Sequence, residues 1–254
     1  IYGTQGVCYP TENKWIGKGG KVDWSRAGIN ENMVFAELKK YSVDLTKQRY
    51  SADSVVFTNK LYFKNSLAGV LEEKAVPDAK PENASYPRFT SYSTRFEISN
   101  IAQGRVDFAG GFALHGSKFI GTGNEKEDAT LIFKRNKKPL VKASGKTFVF
   151  RNDRITSEDA TIVMYMDKDS IYHPSIMVRF DIDKKELILI RTLEGISKTP
   201  YFNSFHKMDM HIEEIDWALD SAKMDIKTLI GSSQGLADFT SSDFFRTSLY
   251  YELQ

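Results

Sequence analysis

The feature that most constrains this chain is an internal duplication. A first copy reads Gly6-Val7-Cys8-Tyr9, Lys14-Trp15-Ile16-Gly17-Lys18-Gly19 and Val22-Asp23-Trp24-Ser25-Arg26. A second reads Gly111-Phe112-Ala113-Leu114, Lys118-Phe119-Ile120-Gly121-Thr122-Gly123 and Leu131-Ile132-Phe133-Lys134-Arg135. The correspondence continues from Arg49-Tyr50-Ser51-Ala52-Asp53 to Arg154-Ile155-Thr156-Ser157-Glu158, and from Pro87-Arg88-Phe89-Thr90-Ser91-Tyr92 to Pro200-Tyr201-Phe202-Asn203-Ser204-Phe205. Repetition on this scale points to an elongated or stacked, solenoid-like antiparallel β architecture built from two divergent repeats of about 105 residues. The expected units are 1–83, 84–197 and 198–254, the last being the start of a third copy, in which Trp217-Ala218-Leu219 and Lys223 echo Phe112-Ala113-Leu114 and Lys118. Two prolines among Val76–Asn83 mark the first boundary as a loop.

The local patterning is that of an all-β chain. In Ile176–Ile182 the apolar residues Ile176, Val178, Phe180 and Ile182 alternate with Arg179 and Asp181. Met208, Met210 and Ile212 do the same against Lys207, Asp209 and His211. Shorter β-rich runs lie at Thr147–Phe150, Thr161–Met166 and Glu186–Arg191, and Asp183-Lys184-Lys185 reads as a hairpin loop. A short helix is expected after a Ser242 cap, with Phe245 and Leu249 on one face closing the open end of the repeat.

Charge and cysteine content exclude several classes of function. Against 35 Lys and Arg stand 33 Asp and Glu, a net of +2, which gives no dominant electrostatic grip on nucleic acid. No apolar run reaches the ~20 residues of a membrane-spanning helix. The single cysteine, Cys8, allows no internal disulfide and no zinc site of several thiolates. Its counterpart is Ala113, so it reads as a small packed hydrophobe.

The candidate motifs resolve as structural ones. Gly17-Lys18-Gly19-Gly20-Lys21 lacks the Gly-Lys-Ser/Thr and helix of a phosphate loop, and the second copy keeps Gly121 and Gly123 but not the lysine, so it reads as a turn. Asp209, His211 and Glu213 share one strand face, which suits a metal but equally a solvated, alternating strand. His173-Pro174 reads as a turn, and the adjacent acids Glu72-Glu73 and Glu213-Glu214 point to opposite faces and make no glycosidase dyad. No catalytic motif, metal site or cofactor site is therefore assigned. The binding candidates are two aromatic clusters at matching places in the copies, Tyr86, Phe89 and Tyr92, and Tyr201, Phe202 and Phe205. They form either a packed corner between units or platforms for glycan rings or lipid chains.

The segments Tyr2–Val7, Gly17–Gly20, Asp169–Pro174 and Pro200–His206 resemble large β-rich proteins of the Bacteroidota. Ala52-Asp53-Ser54 and Gly121-Thr122-Gly123 are similar, more weakly, to the organic-solvent-tolerance and lipopolysaccharide-transport β folds. These resemblances imply a bacterial cell-envelope setting, periplasm or cell surface, within a longer polypeptide. The first expectation for function is a non-enzymatic β-repeat scaffold whose partners are other domains of the same polypeptide or another protein chain. The alternative is carriage of a lipid or glycan along an apolar β groove, and a carbohydrate-active enzyme ranks last.

Overall fold

The computed structural model describes residues 1–74, 80–192, 195–227 and 238–242. The expected C-terminal helix with Phe245 and Leu249, and the loop residues 76–79, lie outside them. The chain divides into two compact units, Ile1–Phe96 with Gly110–Thr122, and Glu97–Ala109 with Gly123–Gln254. The all-β expectation holds: the elements are antiparallel strands joined by turns and single helical turns, and no helix among the described residues is long and apolar enough to cross a membrane.

Unit 1 carries β1 (Gln5–Tyr9), β2 (Lys14–Lys18), β3 (Lys21–Asp23), β4 (Val34–Glu37), β5 (Lys40–Asp44), β6 (Arg49–Asn59), β7 (Leu67–Lys74) and β8 (Arg88–Ser91). Strands β1, β2 and β5 form one three-stranded sheet, and β3, β4, β6, β7 and β8 pair in that order in another. Next come β9 (Phe96–Asn100), a helical turn α1 (Ile101–Gly104), β10 (Val106–His115) and β11 (Lys118–Thr122). In α1 the backbone is left-handed, with φ of 50° at Ala102 and 59° at Gln103. Strand β10 gives Val106–Ala109 to unit 2 and Gly110–His115 to unit 1, where it pairs with β8 and β11.

The long strand β6 shows why the sequence needs a bulge. Ala52 and Val55 are both buried although three residues apart, which strict alternation forbids. A register irregularity between them absorbs the extra residue, with Ser54 at φ +55°. The Ser54 N–H donates to the Tyr92 hydroxyl at 2.8 Å, and that hydroxyl donates to Asp53. Beyond the bulge, Val55 and Phe57 face a core with Trp24, Phe89, Phe112 and Phe119, all at most 2% exposed. The connection from β2 to β3 is a turn with φ of 69° at Gly19 and 115° at Gly20; of the glycines kept in both copies only Gly19 uses that freedom, since Gly17 lies inside β2 and Gly121 inside β11.

Unit 2 continues with β12 (Ala129–Arg135), β13 (Lys138–Gly145), β14 (Thr147–Phe150), β15 (Arg154–Met166), β16 (Asp169–Asp181), β17 (Glu186–Ile190), β18 (Tyr201–Asn203), β19 (Met208–His211), β20 (Glu214–Ala218), β21 (Asp225–Lys227) and β22 (Asp238–Ser241). The expected β runs all fall on strands, and the hairpin at Asp183-Lys184-Lys185 closes on Asp181 opposite Glu186. The Lys184 N–H bonds to the Asp181 carboxylate at 3.0 Å.

Strands β6 and β15 each carry a register irregularity of three residues opposite two. An offset of 105 residues separates Arg49 from Arg154, and β15 is irregular between Ser157 and Ala160, at that same offset from Ala52 and Val55. The proposed equivalence does not extend to the hairpins: β1 and β2 pair Gly6 with Gly17, whereas β10 and β11 pair Gly111 with Thr122. A one-residue difference in register exchanges the faces. Likewise Phe89 pairs with Leu71, whereas Phe202 pairs with Tyr172.

Two sequence expectations are corrected. Cys8 is exposed rather than packed, because β1 is bonded only to β2 among the described strands and all five of its residues are exposed. His173-Pro174 is not a turn but lies inside β16, with His173 fully buried. The register of β15 and β16 jumps there from Ile162–His173 to Ala160–Ile176, which accommodates a proline that has no N–H to give. The Pro174 carbonyl is satisfied by the Thr161 hydroxyl at 2.8 Å.

Candidate functional site

The site is built where β16 divides. Its first half pairs Ile171 and Tyr172 with Asn203 and Phe202 of β18, and its second half pairs Met177–Asp181 with β17. Strands β18, β19 and β22 continue from the first half, and β17, β20 and β21 from the second. The chain passes between these branches at Ile212 and Glu213. Apolar side chains on the branches line a cavity of about 1190 Å³. That is slightly larger than the ~300–1,000 Å³ of common small-molecule sites.

Alternation puts the lining in place. Met210 and Ile212 come from the β19 segment, Ile215 from β20, and Ile171 from β16; each is at most 5% exposed and they form the floor. Met166 at the end of β15 and Met224 and Ile226 at β21 complete the apolar wall, with Ile226 48% exposed. Three methionines among these residues give a lining that adjusts to irregular apolar shapes. Asp167, Lys168, Asp169 and His206 bring charge and polarity to the cavity lining.

Hydrogen bonds fix that rim. The Asn203 side-chain oxygen accepts the N–H groups of Phe205 and His206 at 3.0 and 3.2 Å, folding the turn between β18 and β19. The Ser204 hydroxyl donates to Asp169 at 2.9 Å and accepts the Ser170 N–H at 2.9 Å. Phe205, 64% exposed, is thereby held at the cavity, its ring edge-on to His206 with centroids 4.7 Å apart.

Beside the groove, His173 is buried against Tyr201, with ring centroids 4.6 Å apart. Its Nδ1 accepts the Ser175 N–H at 3.2 Å, so Nε2 carries the proton and donates to the Thr199 carbonyl at 2.9 Å. Burial lowers the His173 pKa, and the Arg191 charge adds to the effect. On β20 and β21, Lys227 pairs with the buried Asp216. Glu214 next to it has a raised pKa, first from burial and then from the Asp216 charge.

The six aromatic residues singled out from the sequence do not converge. Phe89 is fully buried, stacked on Phe57. Tyr86 is half-buried under the Arg88 guanidinium, 4.4 Å from its ring centre, and Tyr92 ties down the β6 bulge. Tyr201 is buried beside His173, Phe202 is 39% exposed on the strand's other face, and Phe205 alone of the six lines the groove. Sequence reasoning missed Met166, Ile171, Ile215, Met224 and Ile226. The alternation that places Met210 and Ile212 on one face was visible, but nothing in it distinguishes a cavity wall from a filled core.

No family profile and no curated protein sequence matches the chain. Among solved structures, the crystal structure of LptH from Pseudomonas aeruginosa, described as the LptA-homologous periplasmic component of the lipopolysaccharide transport device, aligns with 63% of this chain and 98% of its own. The identity is 12% and the TM-score 0.34, a weak resemblance that transfers no residue and no role.

Proposed function

We propose that this chain is a non-catalytic β module of the bacterial cell envelope that holds the apolar tail of an amphipathic lipid. The observation that carries the reading is the unit 2 groove: a floor of Ile171, Met210, Ile212 and Ile215 with charged groups at its lining. An acyl chain removed from water on such a floor gains about 0.8 kcal/mol per buried methylene. The charged groups suit a polar head left at the surface. The envelope setting rests on the sequence resemblances. A scaffold role is the second reading, favoured by unit 1, whose core is packed with aromatic rings.

The test is uptake of N-phenylnaphthylamine, followed by fluorescence, together with mass spectrometry of lipids extracted from protein purified without detergent. Ile226→Glu places a charge on the apolar wall at a half-exposed position, so the fold tolerates it. Probe binding that falls about tenfold in this variant at unchanged Tm is the expected result. A wild-type protein that takes up no probe and yields no lipid refutes the reading and leaves the scaffold.

A further inference from the structure

Strand β1 is an edge of the three-stranded sheet in unit 1, and among the described strands it pairs only with β2. The register runs without a break from Gln5 opposite Lys18 to Tyr9 opposite Lys14. In an antiparallel strand the N–H and C=O groups of alternate residues point to opposite sides, so the outer row of β1 is left to solvent. All five residues are exposed, Val7 at 56% and Tyr9 at 38%.

Both ends of this edge are tied down. Before it, Tyr2 and Lys21 exchange N–H···O=C bonds of 2.9 Å in both directions, and the Thr4 and Tyr41 hydroxyls bond at 2.7 Å. After it, Pro10–Glu12 forms a helical turn in which the Asn13 N–H donates to the Pro10 carbonyl at 3.3 Å. A strand already fixed in the extended conformation loses little further entropy on pairing.

Edge strands are ordinarily kept from pairing by charged side chains, proline, a bulge or a covering element. Gln5-Gly6-Val7-Cys8-Tyr9 has no charge and no proline, and its register carries no bulge. What such an edge recognises is another extended backbone.

The side chains fit a second copy of the same strand. A two-fold axis at Val7 sets all five residues of two antiparallel β1 strands opposite one another, with Val7 against Val7, Gly6 against Cys8 and Gln5 against Tyr9. No like charges meet in that arrangement. Val7 is the register partner of Ile16, so the joint continues one row of β-branched residues, Ile16 and Val7 of one copy followed by Val7 and Ile16 of the other. On the opposite face the Trp15 ring lies over Gly6, where a Cβ would come within 2.6 Å of it. The register brings Cys8 of the second copy beside that glycine, within reach of a sulfur–aromatic contact.

We propose that unit 1 forms a two-fold dimer through β1, which joins two three-stranded sheets into one of six. The pairing is isologous and uses up the free edge of both copies, so it stops at two. It rests on unit 1 alone and is independent of the lipid reading.

Sedimentation velocity over a concentration series up to about 500 µM tests the dimer, because one short ladder makes a weak pair with a dissociation constant of about 10–100 µM. Val7→Lys and Val7→Glu each set like charges face to face on the axis, at an exposed position that the fold tolerates. Each is expected to weaken association about tenfold or more at unchanged Tm. An equimolar mixture of the two variants sets Lys against Glu and is expected to recover association to within about threefold of wild type. That rescue requires residue 7 to face residue 7, which a purely structural role for Val7 does not produce. A wild-type protein that is monomeric at the top of the series, undiminished association in the single variants, or a mixture as weak as its components overturns the proposal.

Discussion

Phe57 and Phe89 stack face to face, with ring centroids 3.9 Å apart and planes inclined by 11°. The stack exists because β7 has a glycine where the ring crosses it: a Cβ at Gly69 would lie 2.7 Å from Phe89 ring carbons and closer still to the Thr90 carbonyl oxygen. Neither neighbour can yield, since Phe89 is fully buried and Thr90 is held in the β7–β8 ladder. Gly69→Ala is therefore expected to destabilise unit 1 by about 2–3 kcal/mol through overpacking. Phe89→Ala is expected to cost about 3–5 kcal/mol through the cavity it leaves. Chemical denaturation of each variant checks both; a Gly69→Ala protein as stable as wild type refutes the account of the stack.

His173 links stability to pH. In the folded chain its pKa is depressed below the ordinary 6.5, first by burial, so the unfolded chain takes up the proton at a higher pH than the folded one. Its contribution is fully present above about 6.5 and is lost as pH falls below that value toward the lowered folded pKa. Within that window the loss approaches roughly 1.4 kcal/mol per pH unit. A His173→Gln variant, less stable at pH 7.5, is expected to close the gap to wild type as the pH is lowered to 5.5. Parallel Tm curves for the two proteins across that range would show that His173 does not titrate on unfolding.

The strands were legible wherever one face is wet. Ile176, Val178 and Phe180 are buried and Arg179 is exposed, as their alternation required. Gly110–Leu114 of β10 is buried on both faces and carries no alternation to read. Bulges escape periodicity, and only the offset between Arg49 and Arg154 hinted that β6 and β15 share one. Cys8 was misjudged because exposure depends on where β1 stands in its sheet, not on its neighbours in sequence. His173-Pro174 was misjudged because the proline sits in a bulge of β16, where His173 to Ile176 stand opposite Ile162 to Ala160, and the strand continues on both sides of it. The groove was illegible for a related reason: its lining spans Tyr165 to Ile226, and which apolar faces meet, and which leave a gap, is decided by where β16 divides.

Asn203 is expected to control the groove through a residue it does not resemble. Its side-chain oxygen holds the Phe205 and His206 N–H groups, and Phe205 contributes the most exposed aromatic ring of the lining. Asn203→Ala removes the acceptor for both, at a cost of about 1–3 kcal/mol in stability, and releases the turn that positions the ring. N-phenylnaphthylamine affinity should fall by a similar factor, roughly threefold to tenfold, in Asn203→Ala and in Phe205→Ala. If the amide acts by placing the ring, the two losses overlap, and the double variant binds no worse than the weaker of the singles. Asn203→Asp keeps both acceptor bonds and is expected to restore much of the probe binding lost in Asn203→Ala. Fully additive losses in the double variant would mean that Asn203 meets the probe directly and that Phe205 owes its place to something else.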